Sequence, residues 1–259
     1  MDAPGFGAQL RRWRGQRGLS QMALALQAEV SARHLSWLET GKAAPSRAMV
    51  LRLAERLELP LRERNGLLTA AGYAPLYRER ALADPTLAPA REALQRLLTA
   101  HEPWPALAVD RHWNLVAHNR MVPLLLQGLP AELMVPRVNV LRVSLHPLGL
   151  APMIVNLGAW RAHVLQRVQR QATASGDPQL GALLAELQAM PGPAPEAGEA
   201  FDDVVVPLTL DTPFGRLEFI TTITVFGAPH DVTLAEIAIE TLLPADEATA
   251  TRLRQANPG

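Results

Sequence analysis

The 259-residue chain carries 25 Lys or Arg against 25 Asp or Glu and is 48% hydrophobic but only 5% aromatic, so its cores must be packed mainly from aliphatic side chains. Cysteine is absent, which excludes disulfides, thiolate metal sites and cysteine nucleophiles and fits a cytosolic protein. No apolar run approaches the roughly 20 residues of a membrane helix, and MDAPGFGAQLRRW lacks a signal-peptide core, so the expectation is two ordinary domains with no membrane partner.

Residues 7–17 predict a first helix with Leu10 and Trp13 inward and Arg11, Arg12, Arg14 and Arg17 outward, ended by Gly18. SQMALALQAEVSARHLSWLET, residues 20–40, then repeats its apolar positions at helical spacing twice with a break between, which reads as a helix-turn-helix. Ser20 caps the first of the pair, with Leu24, Ala25 and Ala28 on one face; Ala25 is small where two helices must approach closely. The turn position, which wants φ > 0 and therefore glycine, holds Glu29. Ser31 caps the second helix, whose Leu35 and Leu38 face inward with Val30, leaving Ser31, Ala32, Arg33, Trp37 and Thr40 to face a DNA major groove. Gly41-Lys42 closes that helix, Pro45-Ser46 opens a fourth with the stripe Met49, Leu53 and Leu57, and residues 62–71 make a fifth, stopped by Gly72 and Pro75.

On that surface Arg33 is the candidate base reader, because a guanidinium pairs bidentately with guanine O6 and N7. Ser31, Ala32 and Trp37 border it, and Gln21, Lys42 and Arg47 are candidates for phosphate contacts that set register. Trp37 has an alternative role, packing between the recognition helix and the following loop. Charge agrees with the assignment: residues 1–80 hold 13 Lys or Arg against 7 Asp or Glu, a balance of +6, and residues 81–259 hold 12 against 18, a balance of −6. A cationic first part suits phosphate neutralisation, and an acidic remainder is kept off the duplex.

The segment HLSWLETGKAAPSRAMVLRLAERLELPLRERNGLLTAAGYAP resembles the MmyB-like regulators within the xenobiotic-response-element class of helix-turn-helix proteins. HPLGLAPMIVNLGAWRAHVLQRVQRQ and TPFGRLEFITTITVFGAPHDVTLAEIAIETLLPAD are similar to that family's second domain, so the resemblance spans essentially the whole chain. It implies an all-α five-helix helix-turn-helix domain over residues 1–76, a linker and connecting helix over 77–100, and an α+β PAS-like ligand-binding domain over 101–259 with a roughly five-stranded antiparallel sheet. It also implies a small apolar ligand, fatty-acid-like, and no other cofactor.

The second part agrees in pattern. Residues 90–101 predict a connecting helix; 106–109 and 113–117 flank a turn at Asp110-Arg111-His112 and read as a hairpin, with a helix from about Asn119, which is taken as its cap. Helices are predicted over 153–173 and 178–190, the second opened by Asp177-Pro178, and PGPAPEAGEA is a loop. Residues 203–210, 216–225 and 235–242 read as strands. From residue 217 on, both faces have apolar character, Leu217, Phe219, Ile223 and Val225 with Thr221 on one and Ile220 and Phe226 beside Glu218, Thr222 and Thr224 on the other, which suits either a core on both sides or a core on one side and a ligand or partner on the other.

For a ligand carboxylate, Arg142 within VLRVSLHP and His146 at the end of that run, and Trp160 and His163 on the long helix, are candidates at a pocket mouth, with Phe219 and Thr221 as pocket wall. The alternative is that Arg142 pairs with a structural carboxylate and that the histidines are structural. No GxSxG, HExxH, GxxxxGK[ST] or strand-borne GxGxxG occurs, His112 and His118 lack metal-site spacing, and Asp202-Asp203 sits in loop sequence, so no catalytic or metal role is expected. The expectation is a DNA-binding transcriptional regulator that responds to a ligand, working as a cytoplasmic homodimer because one recognition helix reads too few bases. The alternative is a DNA-binding regulator whose second domain serves only dimerisation or partner docking.

Overall fold

The computed structural model describes residues 5–193 and 206–256. The chain divides into two units, residues 1–81 with 228–235 and residues 82–227 with 236–259.

In the first unit the serine caps expected from sequence set three of five helices. These are α1 (Phe6–Gln16), α2 (Gln21–Gln27), α3 (Ala32–Glu39), α4 (Arg47–Arg56) and α5 (Leu61–Ala70). Ser20, Ser31 and Ser46 each accept, through the side-chain hydroxyl, the backbone N–H three residues on, from Ala23, His34 and Met49. Glu29 sits at φ 57° in the turn between α2 and α3, so the position does demand the left-handed conformation that its side chain disfavours. Leu10, Trp13, Leu24, Ala25, Ala28, Leu35, Leu38, Leu53 and Leu57 are all buried in one core. At Gly7, a Cβ would lie 2.6 Å from the carbonyl oxygens of Leu38 and Glu39, so only glycine lets the start of α1 meet the end of α3.

In the second unit α6 (Ala88–Ala100) leads into β1 (Ala106–Val109) and β2 (Leu115–His118), followed by α7 (Val122–Leu125), α8 (Val140–Leu145), α9 (Leu157–Ser175) and α10 (Pro178–Ala189). Then come β3 (Leu208–Thr212), β4 (Gly215–Val225) and, past the single turn α11 (Val232–Ala235) that partitions with the first unit, β5 (Ala238–Pro244) and α12 (Glu247–Ala256). The five strands form one antiparallel sheet in the order β2-β1-β5-β4-β3. The fold is therefore five helices followed by an α+β domain, as expected.

Four local expectations change. The second hairpin strand begins at Leu115 rather than residue 113, because Trp113 turns at φ 68° and buries its ring. β5 begins at Ala238 rather than residue 235, because the Asp231 side chain accepts the Thr233 N–H and starts a helical turn instead. Asn119 caps no helix: its buried amide donates to the carbonyls of Leu98 and Trp104 and accepts the N–H groups of Ala106 and Met121, pinning α6 and the hairpin together. Of the strand expected over 203–210, residues 203–205 lie outside the described residues, as do Asp202-Asp203 and most of the predicted loop over 191–200, and the observed strand runs on to Thr212.

Candidate functional site

The outer face of α3 is assembled from residues the helical period puts there. Ser31, Arg33, Trp37 and Thr40 are exposed and Ala32 half-buried, while Leu35, Leu38 and Glu39 are turned inward. The Arg33 guanidinium carbon stands 4.6 Å from the centre of the Trp37 ring, one turn along, so the indole holds the cation by a cation–π contact while leaving its edge free. Trp37 is 39% exposed, which excludes full burial against the loop after α3. Lys42 and Arg47 are exposed beyond the C-terminal end of α3 and at the start of α4. Cations thus surround a helix face of small and aromatic residues.

Gln21 is held from behind. Its amide donates to Glu39 Oε2 at 2.7 Å, and Arg14 closes on the same carboxylate with Nε–Oε1 at 2.6 Å and Nη2–Oε2 at 3.0 Å. Burial pushes the Glu39 carboxyl up, but the hydrogen bonds from Arg14 and Gln21 and the charges of Arg14 and Arg11 outweigh it and hold the group below the usual carboxylate range. Arg14 also donates to the Leu19 carbonyl, so this network ties α1, the start of α2 and the end of α3 into one piece. Glu39 is the organising residue that the sequence reading passes over. Its signal is a lone carboxylate at the inward i+4 position from Leu35.

The second unit contains an apolar cavity between the sheet and α7, α8 and α9. Its volume is about 80 Å³, within about 760 Å³ of unfilled space counted out to its mouth, and Leu115, Val122, Leu126, Val143, Val164 and Leu242 supply much of the wall. Of the residues expected at a ligand, Trp160 and Thr221 line it. Trp160 donates its indole N–H to Ser144 Oγ at 2.8 Å, which fixes the ring.

The others stand elsewhere. Arg142 forms a bidentate pair with Glu186 on α10, at 2.6 and 2.8 Å, in an exposed position, so its charge is spent on a structural carboxylate. His146 accepts the Leu148 N–H just after α8, and Phe219 is fully buried in the core rather than at the cavity. His163 stacks on Trp160 at 5.6 Å between ring centres, behind the cavity wall; burial, then the charges of Arg167 and Arg170, hold its pKa below the usual imidazole value. His112 bonds Asp177 at 2.9 Å, and among the described residues no cluster of three or more His, Asp or Glu could hold a metal.

Two charged residues that the sequence reading passes over do line the cavity. Arg167, seven residues beyond Trp160 on the same stripe of α9 as Val164 and Val168, pairs with Glu240 of β5 through Nη1–Oε1 at 3.1 Å. Glu240 is a lone charge in the largely apolar run of residues 237–243, and Arg167 falls on the α9 face that carries Val164 and Val168; that was the available signal.

A family model described as the MmyB-like transcription regulator ligand binding domain matches residues 90–256, and one described as a helix-turn-helix domain matches residues 6–67. No curated protein matches the chain. A solved "RNA-binding Light-Oxygen-Voltage Receptor" is similar at 16% identity, over 97% of this chain and 62% of that one; the TM-score of 0.31 carries no argument for either fold or function. The chain spans about 62% of that protein's length. Among the described residues, no helix is long and apolar enough to cross a membrane. With the capped helix-turn-helix and the cavity-bearing α+β unit both in place, the chain belongs to the MmyB-like transcription regulators, pairing a helix-turn-helix DNA-binding domain with that family's ligand-binding domain.

Proposed function

We propose that this regulator reads an operator through the exposed flank of α3 and tunes that binding to a fatty-acid-like ligand held in a PAS-like second domain. The observation that supports the DNA half is the Arg33 guanidinium poised over Trp37 on a helix whose flanks carry Lys42 and Arg47. Arg33 contacts a guanine edge; Ser31, Ala32 and Trp37 border it; Gln21, Lys42 and Arg47 bind phosphates. Two copies reading adjacent half-sites supply the specificity one helix lacks, so the working form is a cytoplasmic homodimer. The cavity supports the ligand half: its wall is mostly aliphatic side chains, which suits an alkyl chain. Ligand acts by its differential affinity for dimer arrangements that do or do not match half-site spacing.

A dimerisation or docking role without ligand is favoured by one observation, the exposure of Ile223 at 46% and Val225 at 60% at the far end of β4. Mass spectrometry of the purified full chain after denaturation separates the two readings. An aliphatic molecule released in stoichiometric amount supports ligand sensing; an empty protein that also fails to take up alkyl probes leaves the docking reading. Electrophoresis with duplexes from the DNA flanking the coding region tests the operator role, and failure to retard any of them at low ionic strength refutes it.

A further inference from the structure

Resting on the reading of the cavity as a ligand site, the geometry points to Arg167 and Glu240 as a head-group subsite that selects an uncharged hydrogen-bond acceptor over a carboxylate. Arg167 lines the cavity with 17% of its side chain exposed, and its guanidinium lies 4.2 Å from the centre of the Trp113 ring. The Trp113 indole in turn donates to Gln171 Oε1, one turn along α9. Nη1 is used on Glu240; Nη2 is buried with no hydrogen-bond partner.

A buried, unpaired guanidinium N–H costs on the order of the desolvation of a charged donor, and a ligand acceptor relieves that cost. The charge of Arg167 is already balanced by Glu240, which is itself only 11% exposed in side chain and lines the same cavity. A ligand carboxylate bound to Nη2 would bring a second anion beside Glu240 inside a water-poor wall and leave one negative charge there uncompensated. A ketone, ester or amide carbonyl takes the same N–H with no added charge. The class of ligand is thus an alkyl chain ending in a neutral carbonyl, a fatty-acid derivative rather than a free fatty acid anion.

Displacement of Nile red from the full-length protein at pH 7.5 by 2-decanone and by decanoate reads this out. Wild type is expected to bind 2-decanone at least tenfold tighter than decanoate. Glu240→Gln, which keeps an acceptor for Arg167 but removes its counter-charge, shifts that ratio at least tenfold toward decanoate, and Arg167→Met weakens 2-decanone about tenfold while Nile red still binds. If both probes displace the dye but Glu240→Gln leaves their ratio unchanged, the head-group subsite is overturned and the apolar-ligand reading stands. If neither probe displaces the dye from wild type, the apolar-ligand reading falls and the subsite with it.

Discussion

Glu39→Ala probes how the recognition unit is held. It removes the acceptor for three donors, Arg14 Nε and Nη2 and Gln21 Nε2, while the Arg14 side chain stays 15% exposed and keeps only the Leu19 carbonyl. Breaking a buried ion pair from one side costs about 3–5 kcal/mol, because the remaining charge is left without a partner. Arg14 retains one hydrogen bond and an edge toward water, and Gln21 is half-exposed, so the lower end applies, about 3 kcal/mol. In a domain of this size 1 kcal/mol moves the melting point about 4–8 °C, so a drop of about 12–24 °C is expected in the transition of the first unit.

Far-UV circular dichroism and scanning calorimetry of the full chain measure it. Arg14→Met/Glu39→Met, which removes both charges, is expected to lose less than Glu39→Ala. DNA affinity of Glu39→Ala, measured below its melting point, should fall by a similar factor for operator and random duplex, the outcome expected from the phosphate contact proposed for Gln21. A Glu39→Ala loss under about 1 kcal/mol, or a double variant worse than the single, refutes the claim that this ion pair holds α1 to α3.

Arg33→Ala should weaken operator binding by about 1–3 kcal/mol and flatten sequence preference, whereas Lys42→Ala should weaken all duplexes about equally; competition titrations against base-substituted operators distinguish them. Glu29→Gly relieves a side chain held at φ 57° and should raise the first unit's stability by about 1 kcal/mol, read by urea unfolding; no gain would mean the turn is unstrained. Because the His163 pKa is held low in the folded state, its contribution to stability is complete above the unfolded value of about 6.5 and is lost as pH falls below it. His163→Phe should therefore gain on wild type as pH is lowered from 7 to 5, and parallel profiles would refute the assignment. Val164→Phe places a ring in the cavity and should cut Nile red uptake at least tenfold while the melting point holds or rises; unchanged uptake would mean the dye binds elsewhere.

The first unit was legible because its determinants are local. Ser20, Ser31 and Ser46 each act within three residues, and Glu29 is identified as the strained turn position by its place between two helical patterns. The cavity was legible only at Trp160 and Thr221; its charged lining was not, because its determinants are contacts between residues far apart in sequence. Arg142 meets Glu186 44 residues on, and Arg167 meets Glu240 73 residues on, so which cation is spent on a structural pair and which faces a cavity follows from packing alone. Asn119 illustrates the same limit: beside a helix start it reads as a cap, yet three of its four partners, Leu98, Trp104 and Ala106, precede it by 13 to 21 residues.

The strand at the middle of the sheet, β5, is the last of the five to leave the ribosome. Until it emerges, β1 with β2 and β3 with β4 are separate hairpins with no shared ladder, and Leu242 and Glu240 are missing from the cavity wall. The helical core of residues 5–70, by contrast, is complete early in synthesis. A nascent chain therefore acquires its DNA-reading head well before it can register a small molecule, and the time taken to synthesise the chain between α5 and β5 sets the interval between the two.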